Sequence, residues 1–296
     1  MDNCSYFIKD KAIFGSYPTQ DSVNELELEG VKYFVDLTDE NDTKIIPYST
    51  KFNYIKYPIK DNYVPDVWQK FAKFIIEISK IIRELKEDEK LYLHCRGGHG
   101  RSGVVVASIL CYLFKIGSEE SLKYTSKCHN NRTTMRDKWR KIGSPQTNLQ
   151  KNFVYKFFSP IKIYHTHKNS MISAFSLISP HKITVENINF DNCQEAIEYF
   201  IFDYYEKSEN IETEKIKIDI IEIIDNLNKK NVNIIKKIIK NVLEHKIKQH
   251  DILLDNLMNS GLRNIIYIYG KDHYLYNGNI IGEVYMKIRN YYYEIF

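Results

Sequence analysis

Chemistry in this chain of 296 residues is concentrated between Leu91 and Gly103, which reads Leu-Tyr-Leu-His-Cys-Arg-Gly-Gly-His-Gly-Arg-Ser-Gly. The short apolar run Leu91-Tyr92-Leu93 predicts a buried strand that delivers His94 and Cys95 to its carboxyl end, and a helix is expected to begin near Arg101. Between them, Gly97, Gly98 and Gly100 permit tight turns and a close approach of backbone to ligand. Loop amides at the amino end of a helix form a nest for an anion, and a phosphate dianion fits such a cup. Without ligand, the same amides favour the thiolate form of a cysteine held beneath them. Arg101, six residues after Cys95, can close over the cup and grip two phosphate oxygens with a fork that lysine could not reproduce. Arg96 and His99 add positive charge at the rim, which suits a multiply phosphorylated substrate.

These residue types in this order point to phosphoryl transfer through a covalent intermediate. Cys95 would attack phosphorus in line to give a cysteinyl-phosphate that water later hydrolyses. Arg101 and the loop amides would stabilise the equatorial oxygens of the transition state. Ser102 can donate to the Cys95 sulfur and make it a better leaving group, and His94 is read as an orienting residue behind the loop. A general acid must protonate the departing oxygen and then act as base toward water. The scheme needs no metal and no cofactor.

The stretch from His94 to Ser102 is similar to the signature of the cysteine-dependent protein tyrosine and dual-specificity phosphatases, His-Cys-x-x-Gly-x-x-Arg-Ser/Thr, and the match is complete. Other segments extend the resemblance over about residues 5–158. Gly15-Ser16-Tyr17-Pro18 and Val35-Asp36-Leu37-Thr38 look like the compact dual-specificity branch. Asp61-Asn62-Tyr63-Val64-Pro65 resembles the mobile loop that carries the acid aspartate, which makes Asp61 the first choice and Asp66 the second; the plain alternative for Asp66 is the cap of the helix beginning at Val67. Ser144-Pro145-Gln146-Thr147-Asn148-Leu149-Gln150 resembles a segment in which a glutamine positions the hydrolytic water, a role that would fall to Gln146; the same stretch also reads as a simple helix start. The resemblance implies a phosphoprotein substrate, phosphotyrosine first and phosphoserine or phosphothreonine next. The alternatives are a phosphatase for a nucleotide, RNA end or phosphoinositide, and a phospho-binding pseudophosphatase.

The elements that must position these groups alternate. Val31 to Leu37 and Phe52 to Ile59 read as strands, and Val67, Trp68, Phe71, Phe74, Ile75, Ile78, Ile81, Ile82 and Leu85 line one face of a long helix. With a core helix over Val104 to Phe114, the pattern predicts an α/β domain: a mainly parallel sheet flanked by helices. Its end is placed near Ser159-Pro160, giving domains of 1–160 and 161–296. Cys111 is expected in the core and Cys128-His129 at the surface.

The second part reads as a smaller, helix-rich α+β domain. Extended segments lie around Ile172 to Phe190, helices at Val232 to Leu243, Ile252 to Met258 (stopped by Gly261) and Gly282 to Tyr293, and a strand at Ile265 to Tyr269. Ile172-Ser173-Ala174-Phe175, Phe190 to Ala196 and Asn279 to Arg289 resemble the NADAR (YbiA-like) family, which implies a nucleotide or ADP-ribose-like ligand. Ala174 stands in place of an asparagine, Gln194 stands where the catalytic glutamate aligns, Glu195 is its neighbour, and Asp272 is a loose counterpart of a further motif. That pattern implies a degenerate nucleotide- or protein-binding module; the alternatives are an active glycosidase in which Glu195 substitutes, and an unrelated helical domain. His165-Thr166-His167 lacks an acidic or cysteine partner for a metal and reads as a connector, and Lys229-Lys230 with Lys236-Lys237 reads as the wet face of a helix.

Forty-two basic against 38 acidic side chains leave +4, too small a surplus to argue for nucleic acid. The longest apolar run, Val104 to Phe114, is too short to span a bilayer, and the amino terminus shows no signal segment. Five cysteines without a C-x-x-C pair argue against a disulfide scaffold, and a reducing, cytoplasmic setting without membrane contact is expected.

Overall fold

The computed structural model describes residues 3–43, 45–165, 170–209, 229–269 and 279–295. The chain divides into two compact units, residues 1–159 and 160–296.

The first unit is built on a five-stranded sheet. Its strands are β1 (Cys4–Ile8), β2 (Ala12–Gly15), β3 (Val31–Asp36), β4 (Asn53–Lys56) and β5 (Lys90–His94), in the spatial order β1-β2-β5-β3-β4. β5 is parallel to both β2 and β3, and β3 to β4; only β1 runs antiparallel, against β2. The central strand is buried from Leu91 to His94, which explains its continuous apolar spelling. The β1–β2 hairpin has no clear sequence signal: Cys4–Ile8 mixes polar and apolar residues, and the turn carries Asp10 at φ 59.

Helices α1 (Gln20–Leu28), α2 (Trp68–Glu84), α3 (Arg101–Phe114), α4 (Ser118–Asn130), α5 (Asp137–Ile142) and α6 (Asn148–Phe158) complete this unit. α2 buries Phe71, Phe74, Ile75, Ile78 and Ile82, the face foreseen from its spacing. Each such side chain contributes about 1.5–3 kcal/mol on leaving water. α3 is buried from Arg101 to Cys111, so it is a core helix fixed on several sides. Its amino end therefore cannot drift from the carboxyl end of β5, the place where open α/β sheets offer a crevice to ligands.

The second unit contains β6 (Ile161–Tyr164) parallel to β9 (Ile265–Ile268), and the hairpin β7 (Ile183–Val185) with β8 (Ile188–Phe190). Glu186 and Asn187 take φ 51 and 67 in that two-residue turn, the left-handed pair that the twist of a short hairpin demands. Helices α7 (Cys193–Glu209), α8 (Lys229–Gln249), α9 (Asp251–Asn259) and α10 (Ile280–Ile295) pack around a core that includes Ile235, Ile239, Val242, Leu243 and Tyr285. Gly261, at φ 62, follows α9 and ends it as expected.

Asp272 and His167 lie outside the described residues, as do the side chains of Lys229 and Lys230. Among the described residues no helix is long and apolar enough to cross a membrane.

Candidate active site

β5 ends at His94 and passes directly into the loop Cys95–Gly100, after which Arg101 opens α3. Cys95 is a free cysteine, 3% exposed. Gly98 has φ 71, and a Cβ there would sit 2.4 Å from the Gly15 carbonyl carbon and 2.7 Å from the Ser16 nitrogen. Only glycine lets the loop pack so closely on the end of β2. At Gly100 an added Cβ would fall 2.8 Å from both polar atoms of the Gln150 amide.

Arg101 is buried, yet its guanidinium is held in place from one side. Its Nη1 and Nη2 donate to Asp42 Oδ2 and Oδ1 at 2.6 and 3.0 Å, a bidentate fork, and Nη1 also donates to the Ile59 carbonyl at 3.1 Å. The Nε is buried without a hydrogen-bond partner. Burial alone would lower the pKa of this group; the Asp42 hydrogen bonds, with the charges of Cys95, Asp42 and Asp61, raise it above the ordinary arginine value. Asp42 is held below its ordinary value, since its bonds to Arg101 and the Asp39 amide outweigh the cost of burial. This anchor has no motif in the sequence: it lies 59 positions before Arg101, in the irregular connection between β3 and β4.

The two candidate acids separate clearly. Asp61 Oδ1 lies 3.0 Å from Arg101 Nη2, and the carboxylate is 54% exposed at the mouth of the loop. Asp66 instead accepts from the Val67 amide at 2.8 Å just before α2; Val67 itself stands at the cap position and no side chain caps the helix, so Asp66 is not its cap. The loop that carries Asp61 is tied to α6. Gln146 Nε2 donates to Asn62 Oδ1 at 3.3 Å, and Gln150 Nε2 donates to the Tyr63 carbonyl at 3.2 Å. Thr147 and Gln150 form a reciprocal capping box at the start of α6, so the helix-start reading of this segment also holds. Gln150, not singled out in the sequence, is the buried member that touches both the Asp61 loop and the Gly100 side of the cup.

Behind the loop, His94 is fully buried. Its Nε2 is 2.7 Å from the Tyr48 hydroxyl, and its Nδ1 faces Asp36 Oδ1 at 3.7 Å. Burial pushes the imidazole down to about 4, against the pull of Asp36. A neutral ring can accept from Tyr48 at Nε2, while the buried Nδ1 has no hydrogen-bond partner and only faces the Asp36 carboxylate. Asp36, also buried, accepts from the Thr38 amide and hydroxyl, Tyr54 and Lys56 at 2.6–2.8 Å. Burial would raise this carboxyl, but His94, Lys56, Tyr54 and Thr38 hold it below its usual value. Ser102 is fully buried and its hydroxyl has no hydrogen-bond partner, so the expected bond to the Cys95 sulfur is not formed here.

Two expectations about charge and exposure are corrected. Arg96 is exposed at the rim, but His99 supplies no positive charge near neutral pH. Its Nδ1 is 2.8 Å from His129 Nε2 and its ring stacks on Trp139 at 4.5 Å. Burial, followed by His129 and Arg132, pushes His99 down to about 3. Cys128 and His129 are not at the surface; they are 5% and 0% exposed, because α4 turns this pair inward.

His94, His99 and His129 carry a pH prediction. Burial drives His129 down to about 4, as it does His94, so all three enter the fold neutral. In the unfolded chain they take protons near pH 6.5, while the folded forms refuse them until about pH 4 or below. Stability is therefore complete above about pH 6.5 and falls as pH drops toward 4. Denaturant midpoints followed from pH 7 to 4.5 should shift down steadily; a flat profile would contradict the neutral-histidine assignment.

In the second unit, the side chains expected at a glycosidase site are engaged locally. Glu195 is exposed, with Oε2 accepting from the Asp191 amide at 3.1 Å and Oε1 from Asn192 at 2.9 Å at the start of α7. Gln194 donates to Glu198 at 2.8 Å. These contacts are local to the start of α7, and the NADAR resemblance gains no support from them.

The model of the family "Polymorphic toxin system, DSP-PTPase phosphatase" matches residues 11–115. The chain belongs to the tyrosine phosphatase family. It is 32% identical to "Putative tyrosine phosphatase 197R" of Invertebrate iridescent virus 6, over 98% of this chain and 96% of that one. It is 41% identical to "Putative tyrosine phosphatase 067L" of Invertebrate iridescent virus 3, over 53% of this chain and 66% of the relative. Among solved structures it is similar to Tk-PTP in its active form, at 20% identity and a TM-score of 0.40, covering 51% of this chain and 92% of that one.

Proposed function

We propose that the first unit hydrolyses phosphotyrosine in proteins, with phosphoserine and phosphothreonine as further substrates, through a phosphoryl intermediate on Cys95. One observation carries this reading: a buried cysteine at the end of the central strand lies in a glycine loop whose first helical residue, Arg101, is held by Asp42 with Asp61 3.0 Å away. A phosphate in the cup would be met by the loop amides and by Arg101, with Asp42 keeping the guanidinium aimed. The Cys95 thiolate attacks phosphorus, the bond to the leaving oxygen breaks, and Asp61 gives that oxygen its proton. Asp61 then takes a proton from water, whose oxygen attacks phosphorus and returns Cys95 as thiolate. Gln146, Asn62 and Gln150 hold the Asp61 loop to α6, and the Ser102 hydroxyl, which makes no hydrogen bond in this structure, would turn to the departing sulfur.

The test is phosphate release from a phosphotyrosine peptide and from para-nitrophenyl phosphate by the full chain, with EDTA present. Turnover of both is expected. Tight binding of the phosphopeptide with no turnover would replace the enzyme by a phospho-binding protein.

A further inference from the structure

The phosphate loop offers the rest of the unit few handles. Of the residues from Cys95 to Gly100, Gly97, Gly98 and Gly100 have no side chain, Arg96 is exposed at the rim, and Cys95 must stay free to react. Glycine allows the tight path but loses more conformational freedom on ordering than any other residue. A loop of this composition keeps one shape only if groups outside it fix that shape. His99 is the side chain that remains for the purpose.

His99 is held on three sides. Its carbonyl accepts from Ser144 Oγ at 2.6 Å, and α3 leaves space for that hydroxyl because a Cβ at Gly103 would collide with it. Its ring stacks on Trp139 of α5, with centroids 4.5 Å apart and planes 16° from parallel. Its Nδ1 lies 2.8 Å from Nε2 of His129, a fully buried residue of α4. The stack restrains the plane of the His99 ring, whereas the hydrogen bond fixes its rotation within that plane.

The direction of this bond follows from its far end. His129 Nδ1 lies 3.2 Å from Asn130 Oδ1, a carbonyl oxygen that accepts, so Nδ1 carries the proton of the neutral ring. His129 Nε2 is then bare and accepts from the His99 Nδ1–H. The charged groups that act on the two rings are Arg132 and Arg140, and among the described residues no carboxylate lies within ion-pair distance of either ring. Burial first, and then these positive neighbours, keep both rings neutral and so preserve the acceptor on His129.

We propose that His129 is a positioning residue for the Cys95 reaction: by accepting the His99 Nδ1–H it fixes the phosphate loop in the shape that receives a phosphate. The residue acts through His99 and takes no part in making or breaking bonds. The proposal rests on the phosphatase reading of the cup and adds to it an anchor on α4.

The test has a spectroscopic and a kinetic arm, both on the full chain. With isotopically labelled histidine, nuclear magnetic resonance near neutral pH should show the His99 Nδ1 proton as a low-field, slowly exchanging signal, assigned by its loss in His99→Gln. His129→Leu keeps the bulk of the side chain but not the acceptor. It should remove that signal, lower kcat/KM on para-nitrophenyl phosphate and weaken inhibition by vanadate, the last two by about tenfold to a hundredfold. In His129→Gln the amide oxygen reaches the place of Nε2, so signal, rate and vanadate inhibition should largely return. Absence of the signal in wild type would overturn the proposal. So would His129→Leu kinetics within about twofold of wild type, even with a lowered denaturant midpoint, because the residue would then serve stability alone. A glutamine variant no better than the leucine one would also overturn it. If His129→Leu fails to fold, the wild-type signal and the rate and vanadate inhibition of His129→Gln decide the matter. Wild type that binds vanadate without turnover would remove the phosphatase reading, while vanadate affinity in the two variants would still decide the anchor.

Discussion

Replacement of Cys95 by serine is expected to lower kcat on para-nitrophenyl phosphate by about 10⁴-fold or more, equivalent to at least ~5 kcal/mol of barrier. The change is nearly isosteric, so the loop and α3 should keep their places and the cup should still bind phosphate. What is lost is the nucleophile, because a serine hydroxyl in the same nest is not ionised near neutral pH and lacks the reactivity of sulfur. The variant should retain phosphotyrosine peptides with an affinity close to that of wild type, a result readable by calorimetry. A serine variant with rates within tenfold of wild type would move the chemistry to another group.

Asp61→Asn is the second large effect. Asparagine keeps the shape and can still approach Arg101, but it can neither give a proton to the leaving oxygen nor take one from water. General acid–base catalysis contributes about 10²- to 10⁴-fold, and a loss in that range is expected for phosphotyrosine peptides. The loss should be smaller for substrates whose leaving oxygen departs readily without a proton, such as para-nitrophenyl phosphate. The first step is then spared and the return of Cys95 from its phosphoryl form becomes slow. Equal losses on both substrates would argue against an acid role. A normal rate in Asp61→Asn with a large loss in Asp66→Asn would move that role to Asp66, despite its bond to the Val67 amide.

How far the molecule could be read from its residues depended on whether the information was local. The loop from Cys95 to Ser102 was legible because nucleophile, glycines and arginine must stand at fixed offsets on one strand–turn–helix. The long face of α2 and the buried run of β5 were legible because burial on one side or on both leaves a period in the spelling. Asp42 was not legible, since the contact that aims Arg101 spans 59 residues and starts in an irregular segment. His129 was misread for a related reason. Its neighbours Lys127, Asn130 and Asn131 are polar, and only the packing of α4 shows that its own side chain turns inward to meet His99. Arg132 has no local signal at all; its meaning comes from the carbonyl and ring of Phe14, 118 residues away. In the second unit α8, α9 and α10 were readable from apolar spacing and α7 was not; the short NADAR-like stretches were not enough to define a site, and Glu195 proves to be occupied at the start of α7.

Turnover by this route depends on a phosphorus–sulfur bond forming at Cys95. The most direct measurement is an acid quench of Asp61→Asn during turnover of para-nitrophenyl phosphate, followed by peptide mass spectrometry. A phosphoryl group on the peptide that contains Cys95, absent when Cys95 is replaced by serine, is the predicted result. Steady release of para-nitrophenol with no burst, and no phosphoryl group on that peptide at any quench time, would contradict it.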